Sequence, residues 1–375
     1  MSAPPDSGTS AKVAQDVQDV ERGLKSLLDL RSQEWLEPFL LSVGALIVAL
    51  LLFGAFMMLQ GIPPLELYSA LYIGSFGTRI SIENSLTLAA PILLAALCTL
   101  IAARVGLLVM GGEGAIVLGG LGAVLVGVAL PLSSPLLGSL LCLLAGALFG
   151  GLWIAMAGGL KRVRGVNETI STLLLNYIAI AILNHLISGP IRDFSQTLKA
   201  QSWSIPSYFM MPNIPGWSVH WGILIGILVC VLLHVLLRHT TFGFSMDVVG
   251  GNNRAAQMAG LPITSIVVIS CFLGGAAAGL AGAIEVVAVH GAASESLVVG
   301  FGYTGILVAF LARQKPLAVI FFALLMGGIA ASGGLLQRRF DVPYAATAVL
   351  QGMIFLCVLA SSALSGRILP ERKSK

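Results

Sequence analysis

Residues 85–103 read SLTLAAPILLAALCTLIAA, an uncharged apolar run closed by Arg104. At 1.5 Å of rise per helical residue such a run covers ~28 Å, close to the ~30 Å hydrocarbon core of a bilayer. A surface helix of a soluble domain needs a polar face. This stretch has none, so it reads as a membrane span. Working outward, further segments read the same way near 38–59, 115–131, 136–160, 169–188, 218–237, 263–289, 301–312, 316–333 and 345–364. The fold expected is all-α, a polytopic membrane protein with about ten transmembrane helices. Residues 301–312 and the Gly-rich approach to 115–131 are short enough to be broken or re-entrant helices, whose irregular backbone lines a cavity in transporters.

Composition agrees. The 375-residue chain is 57% hydrophobic, 10% charged and holds 44 glycines, outside the range of soluble domains. Membrane helices associate by close backbone approach, and Gly146/Gly150 and Gly275/Gly279 have the spacing for it. The net charge of +4 does not point to nucleic acid, because the Lys and Arg residues sit singly in short loops. Cys98, Cys142, Cys230, Cys271 and Cys357 all lie in apolar runs without metal-ligand spacing and read as core residues.

Three regions are expected: an N-terminal arm over 1–37, a transmembrane domain over 38–364 and a tail over 365–375. The arm lacks an apolar stretch of signal-peptide type, so the first span is expected to direct insertion. Within it Val13, Val17, Val20, Leu24 and Leu27 alternate spacings of four and three, the pattern of an amphipathic helix at the membrane surface. With the N-terminus inside, twelve Lys and Arg residues outside the arm fall on the inner side, among them Arg104, Lys161, Arg238, Arg254 and Lys315. Five (Arg79, Arg192, Lys199, Arg338 and Arg339) fall outside. The positive-inside rule then places both termini in the cytoplasm, with Arg338 and Arg339 as the poorest fit. Residues 189–217, with four prolines and Trp203 and Trp217, form the longest outer loop.

Chemistry is sparse. No GxxxxGK[ST], GxSxG or HExxH motif is present, and the histidines make no metal-ligand set. The chain therefore reads as having no ATPase site, metal site or catalytic residues of its own. Polar residues in or near spans are costly in lipid and by default face the bundle interior or an aqueous path. On that ground Glu113, Asn176, His185 and Glu285 are candidates for a substrate path, each weighed against an interhelical hydrogen bond.

The inner loop over 238–261 is too long for a plain turn. Gly250 and Gly251 allow a tight turn, Asn252 or Asn253 can cap a helix, and Arg254 to Met258 favour a short helix that Gly260 ends. Here the chain resembles the permeases of bacterial ABC importers for ribose-like sugars, branched-chain amino acids and nucleosides. The likeness lies in Thr-x-Phe-Gly at 240–243 and Gly-Gly-Asn-x-x-Ala-Ala-x-x-x-Gly at 250–260. Arg104-Val-Gly-Leu leading to Gly112-Glu-Gly, Asn167-Glu-Thr-Ile-Ser-Thr-Leu-Leu-Leu-Asn-Tyr-Ile-Ala, and Gly302-Tyr-Thr-Gly-Ile-Leu-Val-Ala-Phe-Leu-Ala-Arg are similar to the nucleoside and simple-sugar branch. Met110-Gly111-Gly112 and Asp247-Val-Val depart from that pattern.

The resemblance implies a bacterial inner-membrane permease working with a second permease subunit, cytoplasmic ABC ATPases and an extracytoplasmic binding protein or lipoprotein. ATP and Mg would bind the ATPases. It makes Gly250, Gly251, Asn252, Asn253, Arg254, Ala255, Ala256, Gln257 and Gly260 the segment coupled to the ATPase. Asn167 and Glu168 at the start of the fifth span, and Tyr303 and Thr304 in the short eighth segment, join the candidate path because both segments flank possible helix breaks. A nucleoside is the expected solute, with a simple sugar as the alternative. An ion-coupled secondary transporter is the rival from another class.

Overall fold

A computed structural model describes residues 42–130, 134–195 and 199–368, with the side chains of the last helix described as far as residue 361. The expected arm over 1–37 lies outside the described residues, as does the tail from 369. Helix α1 (Ser42–Met58) leads to α2 (Pro64–Tyr72), which winds on through a π turn, Ile73–Gly77. Then follow α3 (Arg79–Arg104), α4 (Gly112–Ala129), α5 (Pro135–Arg164), α6 (Glu168–Ser188) and α7 (Gly222–His239). The chain continues with α8 (Thr241–Gly251), α9 (Asn253–Met258), α10 (Ile263–Ile284, running on as a π turn to His290), α11 (Phe301–Leu311), α12 (Pro316–Phe340) and α13 (Ala345–Ile368). Among the described residues there is no strand, only isolated bridges in the loops.

Seven helices are long and apolar enough to cross a membrane, and three shorter apolar ones cover Ser42–Met58, Glu295–Leu311 and Ala345–Ser361. They match the ten expected segments one for one. Several boundaries differ, the largest being the end of α12, which runs to Phe340 rather than 333. Helix α3 begins at Arg79 rather than 85, because Thr78 Oγ1 accepts from Ser81 N at 3.1 Å and starts the helix earlier. Helix α13 runs to Ile368, past the expected end of the membrane domain at 364.

The apolar run over 85–103 becomes the centre of the bundle. Helix α3 is buried without a break from Ala89 to Ala102, which is why no polar face interrupts it. Helices α10, α11 and α12 each turn a glycine toward it: a Cβ added at Gly274, Gly305 or Gly327 would lie 2.9 Å from Cys98 O, 2.7 Å from Ala95 C and 2.8 Å from Ala89 N. The two glycine pairs singled out by spacing meet each other. A Cβ at Gly150 would stand 2.6 Å from the Gly275 carbonyl oxygen, and one at Gly279 would stand 2.8 Å from Gly150 Cα. Helices α5 and α10 thus touch backbone to backbone, maximising dispersion contact where lipid removes the hydrophobic drive for association.

The loop after α6 is tied to the bundle rather than free. Ser202 N, Ile205 N and Met211 N donate to the carbonyls of Ala293, Gly291 and Val287 at 2.9, 2.8 and 2.9 Å. Arg79 reaches the Gly216 carbonyl and lies over the Trp217 ring, 5.4 Å from its centroid. Arg338 and Arg339, which fit the charge rule worst, occupy the last turn of α12, where cations complement the negative end of the helix dipole.

Candidate functional site

Two helices begin opposite each other inside the bundle. The N-terminus of α4 and that of α11 approach so closely that a Cβ on Gly302 would stand 2.7 Å from Glu113 Cα. Glu113, 1% exposed, is the link between them: its Oε1 accepts from Gly300 N at 2.7 Å and its Oε2 from Gly302 N at 2.6 Å. A carboxylate on the unpaired amides of a helix start satisfies donors that lipid cannot and complements the dipole. Helix α6 holds the approach to α4 in the same manner. Asn176 Oδ1 accepts from Gly114 N, its Nδ2 donates to Met110 O, both at 2.7 Å, and Thr172 Oγ1 accepts from Met110 N at 3.1 Å. Glu113 and Asn176 thus both make hydrogen bonds that join neighbouring segments of the bundle.

Tyr303, on the first turn of α11 and 45% exposed, lies beside Asn176. Thr304 Oγ1 donates to Gln351 Oε1 at 3.1 Å, joining α11 to α13. Along α6, Ile170, Leu174, Tyr177, Ala181 and His185 are exposed on one face, with Tyr177 at 62%. Tyrosine in mid-span is displaced from the interfacial belts it ordinarily occupies, so this face is chemically unlike a lipid-facing stripe. Glu113, Asn176, Tyr303 and Thr304 thus cluster, with His185 two turns along the same α6 face as Tyr177.

The other candidates go elsewhere. Asn167 Oδ1 caps α6, accepting from Thr169 N and Ile170 N at 3.0 and 3.2 Å. Glu168 pairs with Lys161 Nζ at 2.8 Å and closes the α5–α6 corner. Glu285 sits on the π turn that ends α10, 3.5 Å from His290 Nε2, and has no bond to the cluster. Thr172, Tyr177 and Gln351 belong to the cluster but are not among the sequence candidates. Their signal was present, since each is a polar group in an apolar helix. Among the described residues no group of three or more His, Cys, Asp or Glu side chains is placed to hold a metal.

The second site is at the surface. Asn252 Oδ1 accepts from Arg254 N and Ala255 N at 2.9 and 3.2 Å, capping α9, and Gly260, with φ of +72°, ends the segment. The turn expected at Gly250–Gly251 is instead the last turn of α8, a helix capped by Thr240 Oγ1 on Gly243 N at 3.2 Å. Gly250 serves close approach: a Cβ there would lie 3.1 Å from Gly106 N and collide with the Arg104 carbonyl. The departure at Asp247 has a partner as well, Arg104 Nη1 at 2.9 Å. Met246, Val249 and Ala256 face inward, while Asn253, Arg254, Gln257 and Met258, the last 85% exposed, face out. The result is a small helical platform fastened to the end of α3.

A multi-pass helical bundle with opposed helix starts in its interior and an attached surface platform defines a membrane transport protein. The chain belongs to the branched-chain amino acid transport system / permease component family, whose profile matches residues 81–359. It is 32% identical over 333 residues to the guanosine ABC transporter permease protein NupP of Bacillus subtilis (strain 168), covering 88% of this chain and 95% of that protein. It is 27% identical to the glucose ABC transporter permease protein TsgB13 of Haloferax volcanii, over 85% of this chain and 86% of that one. It is also 27% identical to the nucleoside ABC transporter permease protein NupB of Lactococcus lactis subsp. cremoris, over 73% and 78%. The chain is an ABC permease subunit, and permeases of this family work with ATPase and substrate-binding partners.

Proposed function

We propose that this permease carries nucleosides inward across a bacterial inner membrane, both termini cytoplasmic, paired with a second permease chain. The observation that carries the solute class is the near full-length similarity to a guanosine permease, joined by a nucleoside permease at lower identity. The similarity to a glucose permease supports a sugar as the second reading. Family membership sets aside the ion-coupled transporter.

In the proposed cycle, ATPases binding ATP and Mg press on α9 through Asn253, Arg254 and Gln257, with Gly250, Gly251, Asn252, Ala255, Ala256 and Gly260 shaping the contact. Two fastenings support transmission: the Arg104–Asp247 pair and the Gly106–Gly250 contact both tie the platform to α3, which packs against α10, α11 and α12. Movement of α3 is then felt at the α4–α11 junction, where two packings give outward-open and inward-open states. Tyr303, Tyr177, Thr304 and His185 line the path beside that junction. A tyrosine face suits a nucleobase, which stacks on aromatic rings. Orientation rests on the cations at the platform end and is tested by thiol-reagent accessibility of single cysteines placed next to Arg254 and Trp217.

Uptake of labelled guanosine, uridine and glucose in cells lacking this chain, then complemented, tests the solute. Loss and recovery of nucleoside uptake alone is the expected result. Loss of glucose uptake alone replaces nucleoside by sugar.

A further inference from the structure

Where α8 meets α3, a cavity of about 500 Å³ opens between the ends of α3 and α7, the outer side of α8 and the first turn of α12. Cys230 Sγ donates to the Pro316 carbonyl at 2.9 Å and holds the start of α12 against α7. Helix α7 continues past that point to His239, so His234, Leu237 and Arg238 form one wall and Phe244 and Asp247 of α8 another.

The charge of this cavity is one-sided. Among the described residues, Arg104, Arg238 and Lys315 line it with one carboxylate, Asp247, which Arg104 Nη1 engages at 2.9 Å. The first turn of α12 adds the positive end of a helix dipole. Phosphate oxygens satisfy such a set, and guanidinium groups bind them with charge-assisted bonds.

The cavity is also the head of an apolar track. On α7 the exposed residues Leu224, Leu228, Val231 and Val235 recur at spacings of four, three and four, and the next position of that stripe is Arg238. On α12 the exposed Leu317 and Phe321 descend from the same cavity. A soluble anion uses only the charged end, and a docked ATPase segment has no use for stripes running up into the bilayer. An acyl-chain amphiphile uses both. We propose that this cavity binds the phosphate headgroup of an anionic phospholipid, its chains lying along α7 and α12. Because Phe244 and Asp247 belong to α8, the bound headgroup stiffens the joint between platform and α3, and coupled transport rises with the anionic lipid content of the membrane.

Native mass spectrometry of the full-length permease, alone and with its ATPase subunits, tests this with phosphatidylglycerol, phosphatidylcholine and glycerol 3-phosphate as probes. The wild type is expected to hold phosphatidylglycerol at least about tenfold more tightly than phosphatidylcholine, and R238Q to lose about fivefold of that preference. A photoactivatable phosphatidylglycerol on the unaltered protein is expected to label 234–247 and 315–321, which keeps the test valid should the variant misfold. Equal retention of the two lipids, or labelling elsewhere, overturns the proposal. Glycerol 3-phosphate binding as tightly as the lipid makes the ligand a soluble anion, and labelling confined to permease stripped of its ATPases makes the cavity a protein seat.

Discussion

The two sites are built from the same element, a helix N-terminus satisfied by a side chain, yet they are held with unequal force. At the α4–α11 junction the acceptors are Glu113 and Asn176, both buried, and each serves backbone groups that have no water to fall back on. At the platform the acceptor is Asn252, exposed, and the tie to the bundle is a half-exposed ion pair between Arg104 and Asp247. Removing a buried acceptor leaves its donors unsatisfied at full cost, whereas water replaces an exposed one. The interior junction is therefore the rigid part and the platform the compliant one. That is the order in which a push at the surface becomes a discrete change inside.

The contrast breaks most visibly at Glu113. Substitution by Ala strands the amides of Gly300 and Gly302 and is expected to destabilise by about 3 kcal/mol or more. Thermal unfolding in detergent, followed by size-exclusion fluorescence, should show a sharply lowered midpoint or no monodisperse protein. Glu113→Gln keeps one acceptor oxygen and should fall between. A midpoint unchanged in Glu113→Ala would mean that the junction is not held by this carboxylate.

Asn176 comes second. Leucine in its place loses the bonds to Gly114 N and Met110 O but fills similar volume, for an expected cost of about 2 kcal/mol. Its midpoint should lie between those of the wild type and Glu113→Ala. Transport should fall as well, since the start of α4 is no longer fixed against α6.

The sequence made the ten apolar helices legible because each is a continuous run set against a fixed bilayer thickness. It also made the α5–α10 seam legible, since small residues four apart have one use in a membrane helix. Helix α2 with its π turn went unseen: LELYSALYIGSFG mixes polar and apolar residues, and only Pro64 at its start signalled a helix. Asn252 as a cap was legible because its amides are two and three residues away. Glu113 stood out as a charge in a Gly-rich break, but its partners lie 187 and 189 residues ahead, a distance that only packing closes. The same cost argument selected Glu285, which pairs with His290 instead. Burial cost says that a polar group needs a partner and not which one.

Weaker effects lie at the platform. In a double-mutant cycle, Arg104→Gln and Asp247→Asn should show a coupling of at most about 1 kcal/mol in stability, as exposed pairs do. The same cycle read as ATP hydrolysis per solute transported should be non-additive, because the pair fastens α8 to α3. Additive behaviour in both readouts would shift the tie between α8 and the end of α3 onto the Gly106–Gly250 contact. Gly250→Val then separates the possibilities, since its side chain must push Arg104 and Gly106 away.

The smallest change in stability is expected at Arg254, and it sharpens the comparison most. Its side chain points to solvent from α9 while its backbone N–H is held by Asn252. Charge reversal to Glu leaves that cap in place and even suits the positive end of α9, so the unfolding midpoint should stay within about 2 °C of wild type. Uptake in complemented cells should nevertheless drop by about tenfold or more, because an exposed cation reversed at an interface replaces attraction by repulsion. Co-purification of the ATPase with the tagged permease should fall in step. A protein of normal stability and normal uptake would detach α9 from energy coupling, whereas normal ATPase binding with lost uptake would shift the role of Arg254 from docking to transmission.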